Sequence, residues 1–174
     1  NYVMRQLLVF FCVLIAFSSC DWNTEPQYSP EIYGSHFYVN PVFEGDSLVS
    51  AKDTLSLSYD SEDGTYDLDT VYVGDTITFA SVFYSVNSNL VSVNIDWDST
   101  KMNMWYTLPN SVEKVLTSQT NLEDGDLYFV PGYNRLSFPI SFTPLVKGGM
   151  TFSLTVESDS EFPETSVLFY VPAK

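Results

Sequence analysis

The chain has 174 residues, of which 22 are acidic and 7 basic, giving a formal net charge of −15. Nucleic-acid binders need basic stripes that neutralise phosphates, so this charge balance excludes a nucleic-acid partner. Hydrophobic residues make up 45% and aromatic residues 16% of the chain, which excludes an intrinsically disordered protein. The length is typical of one domain, and the abundance of Tyr, Phe, Val and Thr favours strands.

The N-terminal segment predicts an export signal. Met4 and Arg5 form a short positive region, and an uninterrupted apolar run occupies residues 7–17. A membrane-spanning helix needs about 20 apolar residues, so this shorter run is typical of a signal peptide. Of the two cysteines, Cys12 lies inside the run and Cys20 follows it.

The residues that end this segment, Phe17-Ser18-Ser19-Cys20, resemble a lipobox, the cleavage site of bacterial lipoprotein signal peptides. The resemblance implies that residues 1–20 are a signal peptide cleaved before Cys20. Cys20 would then be the lipidation site, carry a diacylglycerol and anchor the chain to a membrane. A free or intermolecular thiol at Cys20, left by ordinary signal cleavage, is the alternative.

Residues 21–34 contain two prolines and few regularly spaced apolar residues, which predicts a flexible tether. After Gly34 the pattern changes to the alternation of half-buried strands. The predicted domain therefore covers residues 35–174. Its predicted strands are, in chain order, residues 54–59, 68–73, 76–84, 90–98, 102–108, 127–130, 135–143, 150–157 and 165–171.

Two of these strands, and one further segment, carry specific expectations. In residues 54–59, Leu55, Leu57 and Tyr59 are expected to share one face of a single strand. In residues 135–143, Pro139 favours an edge position or a bulge, because proline donates no ladder hydrogen bond. In residues 111–116, the spacing is helical over one short turn, so this segment is ambiguous.

The alternation is cleanest in residues 90–98. Here the inward side chains are expected to be those of Val91, Val93, Ile95 and Trp97. Acidic loops are expected at residues 60–67 and 122–126. About eight to ten short strands, with no helix of ordinary length, predict an all-β, antiparallel β-sandwich.

Two stretches resemble bacterial immunoglobulin-like domains. Residues 73–79, VGDTITF, resemble the turn and B strand of such domains, and residues 147–159, KGGMTFSLTVESD, resemble their F strand. Trp97 matches their buried core tryptophan. The resemblance implies an immunoglobulin-like sandwich.

The plan of leader, acidic tether and one such sandwich resembles small lipoproteins of the Bacteroidetes. This implies an exported protein, anchored by lipid to the outer membrane. Its orientation, periplasm-facing or on the cell surface, stays open.

One acidic stretch is a weak calcium candidate. Asp60, Glu62, Asp63 and Asp67 supply the oxygen ligands that Ca²⁺ prefers. The glycine and ligand spacing of an EF-hand is absent, so a solvated acidic turn is the alternative. We expect no cofactor, with Ca²⁺ the one open exception.

No catalytic pattern stands out. His36 is the single histidine, and no Gly-x-Ser-x-Gly motif is present. A zinc site needs three or four nitrogen or sulfur ligands, which the mature chain lacks. We therefore expect no enzyme; an enzyme would need a concave pocket with convergent polar groups.

An aromatic cluster gives the candidate ligand site. If Met104 and Tyr106 face inward, Trp105 faces outward, where it could stack on a sugar or seed a protein interface. Trp105 and Tyr106 are therefore the candidate ligand-binding residues. The hypothesis is a lipid-anchored binding or adhesion module without catalytic activity, its ligand an unknown protein or glycan. Its alternatives are a glycan-binding accessory lipoprotein of a carbohydrate-uptake system and a structural subunit of a surface filament.

Overall fold

The computed structural model describes residues 26–34 and 36–174; the predicted leader, Cys20 and the first part of the tether lie outside the described residues. No helix among the described residues is long and apolar enough to cross a membrane. In chain order the strands are β1 (Glu31–Gly34), β2 (Phe37–Val39), β3 (Val42–Glu44), β4 (Ser47–Ser50), β5 (Asp53–Leu55), β6 (Leu57–Asp60), β7 (Thr65–Leu68), β8 (Ile77–Tyr84), β9 (Leu90–Trp97), β10 (Met102–Tyr106), β11 (Asp126–Tyr128), β12 (Arg135–Pro144), β13 (Gly148–Ser158) and β14 (Glu164–Ala173).

These strands form two six-stranded sheets and one separate hairpin, so the predicted all-β sandwich is confirmed. Sheet one has the order β10-β12-β8-β2-β5, and β1 pairs with β8 beside β2. Sheet two has the order β11-β9-β13-β14-β7-β6, and β3 pairs with β4 in the hairpin. All pairs are antiparallel except β7 with β14, which is parallel.

The connectivity is that of an immunoglobulin-like sandwich. Such folds carry strands A, B, E and D in one sheet and C, F and G in the other. Here β1 and β2 together, β8, β12 and β10 correspond to A, B, E and D, while β9, β13 and β14 correspond to C, F and G. The segments that resemble strands B and F are indeed β8 and β13, although Trp97 is half-buried instead of fully buried.

Phenylalanine rings join the two sheets. In sheet one, Phe37 stacks on Phe79 with ring centroids 4.3 Å apart, and in sheet two Phe152 stacks on Phe169 at 4.7 Å. Phe142 bridges the layers at 5.3 Å from Phe152. Offset and tilted contacts of this kind add to the burial of large apolar areas, so this cluster fixes how the sheets sit on each other.

Two of the predicted strands are wrong in detail. Residues 54–59 do not form one strand: the chain leaves sheet one at Leu55 and enters sheet two at Leu57, so Leu57 and Tyr59 are exposed on the outermost strand β6. Residues 68–73 are replaced by β7, which begins at Thr65, and only an isolated bridge from Val71 to Ala173 follows it. The alternation of apolar side chains therefore continues through residues 54–59, but those that follow the change of sheet are no longer buried in the core.

The prediction that Val91 faces inward is also wrong. A register shift between Glu157 and Ser158 pairs Ser92 with Glu157 and Leu90 with Ser158, so Val91 is the extra residue of a bulge. Leu90 is therefore buried, and Val91 is 37% exposed. Val93 and Ile95 face inward as predicted.

Pro139 lies inside a strand with a neighbour on each side, not at a sheet edge or a bulge. Its register partner on β8 is Ala80. The Ser85 N–H donates to the Asn134 carbonyl, so these two residues form a hydrogen-bonded pair. Hydrogen-bonded and non-hydrogen-bonded pairs alternate along an antiparallel ladder, and in this register Pro139 and Ala80 form a pair without ladder hydrogen bonds. On the other side the Thr107 N–H donates to the Pro139 carbonyl, but Pro139 has no N–H to return the bond, so one ladder bond is missing where β10 ends.

The folded part also begins earlier than expected. Glu31–Gly34, assigned to the tether, pairs with Tyr84–Ser81 as strand β1. The ambiguous segment forms one helical turn, α1 (Asn110–Glu113), which buries Val112 against the core. The described strands outnumber the eight to ten expected because several have only three or four residues, too few for an alternation to be visible.

Candidate functional site

The two outer faces of the sandwich differ in chemistry. The outer face of sheet two carries short polar and acidic side chains, among them Asp96, Asp126 and Glu157. The outer face of sheet one carries aromatic side chains from four strands. We call this second surface the aromatic face and define it by Trp105 on β10, Tyr84 on β8, Tyr38 on β2 and Tyr33 on β1.

Strand alternation places these side chains on one surface. In β10, Met102 and Met104 are buried, so Trp105 between Met104 and Tyr106 points outward and is 38% exposed. In β2, Phe37 and Val39 are buried and Tyr38 points outward by the same rule. The prediction that Trp105 faces outward when Met104 faces inward therefore agrees with the geometry.

Trp105 and Tyr38 stand at the two ends of one row across sheet one. Trp105 pairs with Ser141, Ser141 with Thr78, and Thr78 with Tyr38. Three strand spacings separate the two aromatic residues, which amounts to about 14 Å. The row is therefore long enough for an extended ligand, with an aromatic ring at each end.

Hydroxyl groups form the floor between these aromatic ends. The Thr78 and Ser141 hydroxyl oxygens are 2.8 Å apart, and those of Thr76 and Thr143 are 3.2 Å apart in the next row. Thr78 is only 7% and Ser141 only 8% exposed, although both lie on an outer face. Neighbouring side chains therefore cover most of both residues.

Tyr106 does not join this site. It points to the inner side of sheet one, where its ring lies 6.2 Å from that of Phe138 and its hydroxyl donates to the Leu122 carbonyl. Burial, and secondarily the Asp126 carboxylate, raises the pKa of Tyr106 to about 12. The structure thus places the two candidate side chains on opposite faces of sheet one, with Trp105 on the outer face.

The weak calcium candidates are engaged in local turn contacts. The Asp60 carboxylate accepts the Glu62 N–H at 2.8 Å, as in an Asx turn, and the Asp67 carboxylate accepts the Thr65 hydroxyl at 2.7 Å. Glu62 and Asp63 are exposed. Across residues 26–34 and 36–174, no three His, Cys, Asp or Glu side chains are grouped so that they could hold a metal ion.

Two shallow depressions lie on the outer face of sheet two. One, of about 340 Å³, is lined by Asp96, Trp97, Asp98, Thr151, Phe152, Ser153 and Leu168. The other, of about 230 Å³, is lined by Ser92, Val93, Asn94, Asp126, Tyr128, Thr155 and Glu157. In the second, Asn94 and Ser92 donate hydrogen bonds to Asp126 and Glu157, which satisfies part of each carboxylate.

Sequence reasoning missed Tyr33, Tyr38 and Tyr84 as members of the site. Tyr33 lies in the segment assigned to the tether, and β2 has too few residues to show a period. Tyr84, the last residue of β8, could have been assigned to the outer side from the inward Ile77, Phe79 and Phe83. The single histidine, His36, lies next to this surface, with its ring centroid 6.1 Å from that of Tyr38.

No protein-family model matches the chain, and no curated protein matches it. Among solved structures, the chain is similar to the secreted serine protease VesC from Vibrio cholerae, at 13% identity and a TM-score of 0.38 over 68% of this chain and 23% of that one. It is similar to the chain named BspA_C_mut, at 14% identity and a TM-score of 0.42 over 82% of this chain and 46% of that one. It is also similar to AggA, the major subunit of aggregative adherence fimbriae type I from Escherichia coli, at 10% identity and a TM-score of 0.37 over 86% of this chain and all of that one.

The chain spans about a quarter of VesC and under half of BspA_C_mut. Similarity at these identities and TM-scores does not extend to function.

Proposed function

We propose that this chain is a lipid-anchored binding module of a bacterial cell envelope, without catalytic activity, and that the aromatic face is its ligand site. The observation that carries the proposal is the row from Trp105 to Tyr38 over a hydroxyl floor. Exposed aromatic side chains combine large contact area with low entropy cost, and they dominate the energy of recognition surfaces.

The position of the N-terminal segment supports an anchored module. The Pro26 carbonyl accepts a hydrogen bond from Asn87, so the tether enters at the end of the sandwich where β8 finishes. Trp105 lies toward the opposite end, since its partner strand β12 runs from Arg135 near Tyr84 to Pro144 near Met102. A chain anchored at Cys20 would therefore hold Trp105 away from the membrane.

A glycan is the second candidate for the ligand, after a protein. Sugar rings are flat on one side and carry hydroxyl groups around their edge, which suits an aromatic ring beside a Thr and Ser floor. The alternative of a filament subunit finds less support, because β14 pairs with β13 over ten residues and the sandwich already contains its own G strand.

The absence of catalysis is part of the proposal. Both depressions lie on sheet two, away from the aromatic face, and Glu31 lies on the short strand β1 beside Tyr84. Enzyme sites are usually concave pockets in which several polar groups converge on one point. A flat aromatic surface fits recognition better than chemistry.

The first test compares binding by matched variants of the full chain on an array of glycans and extracellular proteins. Trp105→Ala should abolish or strongly weaken retention of any ligand found, because interface tryptophans often contribute about 2 kcal/mol or more. Tyr170→Ala is the control, since Tyr170 is as exposed as Trp105, at 37% against 38%, but lies on the outer face of sheet two. Equal binding by both variants would show that the aromatic face is not the site.

The second test addresses the anchor. Cells expressing the chain should incorporate labelled fatty acid into it, and Cys20→Ser should lose the label while Cys12→Ser keeps it. Label that persists in Cys20→Ser would contradict the proposed anchor.

A further inference from the structure

Strand β10 lies at the edge of sheet one, and backbone N–H and C=O groups along its free edge are unpaired within the described chain. Leu145 N–H donates to the Lys101 carbonyl and Thr107 N–H donates to the Pro139 carbonyl, so the odd-numbered residues of this segment bond to β12. The even-numbered residues therefore direct their N–H and C=O groups away from the sheet. Met102 N–H is taken up by the Asp98 carbonyl, but within the described chain no partner meets the N–H groups of Met104 and Tyr106.

β10 also lacks the features that usually protect an edge. Native edge strands carry charges, prolines or bulges, or are covered by other segments. The sequence of β10, Met-Asn-Met-Trp-Tyr, contains no charge and no proline, and its pairing with β12 is regular.

The other edges of the two sheets are acidic or covered. Asp53, Glu31 and Asp60 lie in β5, β1 and β6. β11 is covered by the segment before it, where Thr117 N–H donates to the Tyr128 carbonyl and Asn121 pairs with Asp126. Pairing of two acidic edges would bring like charges together across the junction, whereas two copies of β10 pair without like charges in the joined strands.

We infer that two copies of this chain associate by antiparallel pairing of their β10 strands around a two-fold axis at Met104. This register aligns Met104 with Met104 of the partner subunit and Met102 with Tyr106 of the partner subunit. The N–H and C=O groups of Met104 then meet those of the partner, each Tyr106 N–H meets a Met102 carbonyl, and the two copies of sheet one become a single continuous sheet.

The pairing extends the ligand site, and this consequence rests on the proposed function. Asn103 would lie directly opposite Trp105 of the partner subunit, and the two Trp105 side chains would be diagonal neighbours, about 7–8 Å apart. Both would stand on the same outer surface, so one long ligand would contact two aromatic faces. The ligand class that fits is an extended polymer, a polysaccharide or an elongated peptide.

The test measures the mass of the full chain in a mild detergent by sedimentation, from micromolar to millimolar concentration and without ligand. The wild type should form dimers. Asn103→Glu should dimerise several-fold more weakly, because it places two carboxylates about 7–8 Å apart at the junction, while the neutral Asn103→Gln of the same length should dimerise like the wild type. A monomeric wild type, or equal dimerisation of the two variants, would overturn the inference.

A cross-link fixes the register. In the inferred pair the Cα atoms at position 104 lie about 5.5 Å apart, within disulfide range, whereas those at position 103 lie beyond about 7 Å. Met104→Cys should therefore yield a disulfide between the two introduced cysteines on oxidation, identified by peptide mapping, and Asn103→Cys should not. Dimers linked through position 103, or unlinked at position 104, would contradict this register. Because dimerisation is measured without ligand, its failure leaves the single-copy binding of Trp105 intact.

Discussion

At the scale of single residues, Trp105 and Tyr106 show how one strand assigns opposite roles to neighbours. Trp105 faces solvent over the hydroxyl floor, and Tyr106 fills the inner side against Phe138. Both are aromatic and adjacent in sequence, so residue type alone makes them equal candidates for ligand binding. Their separation follows from the strand period of two, which the burial of Met102 and Met104 fixes.

The environment of Tyr106 leads to a prediction about pH. Its folded pKa of about 12 lies above the unfolded value of about 10, so its neutral form stabilises the fold below pH 10. This contribution is lost as the pH rises from about 10 toward about 12, where the unfolded chain releases its proton first. The free energy of unfolding of the wild type should therefore fall more over this range than that of Tyr106→Phe.

Urea unfolding of both proteins at a series of pH values measures this difference, and the other tyrosines cancel in the comparison. Parallel profiles of the wild type and Tyr106→Phe would contradict the role given to burial of the Tyr106 hydroxyl.

At the scale of elements, strand length decides what the sequence reveals. The long strands β8, β9, β12, β13 and β14 were predicted within about two residues, because eight or more alternating positions define a face. The strands β1 to β5 were missed or misassigned, since three or four residues carry no readable period. The candidate site inherits this limit: Trp105 was found from its own strand, but Tyr33 and Tyr38 belong to the short strands.

The bulge in β9 shows a second limit. Its extra residue depends on pairing with Glu157 and Ser158, more than sixty positions away, so the local alternation of residues 90–98 pointed to Val91 instead of Leu90. The same holds for residues 54–59, whose alternation is unbroken although the chain changes sheets at Ser56. Such features are set by partner strands and not by local sequence.

The bulge is testable by a pair of neighbouring substitutions. Leu90→Ala should lower the free energy of unfolding by about 2–5 kcal/mol, because it removes a fully buried side chain. Val91→Ala should change it by about 0.5 kcal/mol or less, as is usual for exposed positions. Urea denaturation of both variants measures the two values; the reverse order would place Val91 in the core and contradict the bulge.

At the scale of the whole molecule, one end of the sandwich is acidic. The end of the sandwich where the tether enters carries Glu31, Asp159, Glu161 and Glu164. Asp159 is fixed there, because its carboxylate accepts hydrogen bonds from the Asn89 side chain and backbone, which lower its pKa. If the chain is anchored as proposed, an anionic membrane would repel this acidic end and so keep the domain upright on its tether.

The proposed function requires ligand to bind across the outer surface of sheet one. Hydroxyl-radical footprinting of the full chain, with and without a ligand identified on the array, can locate this binding because oxidation reports each exposed aromatic side chain separately. We expect ligand to protect Trp105, Tyr38 and Tyr33 from oxidation and to leave Tyr170 unchanged. Protection of Tyr170 with Trp105 still fully oxidised would place the site on the opposite sheet and contradict the account.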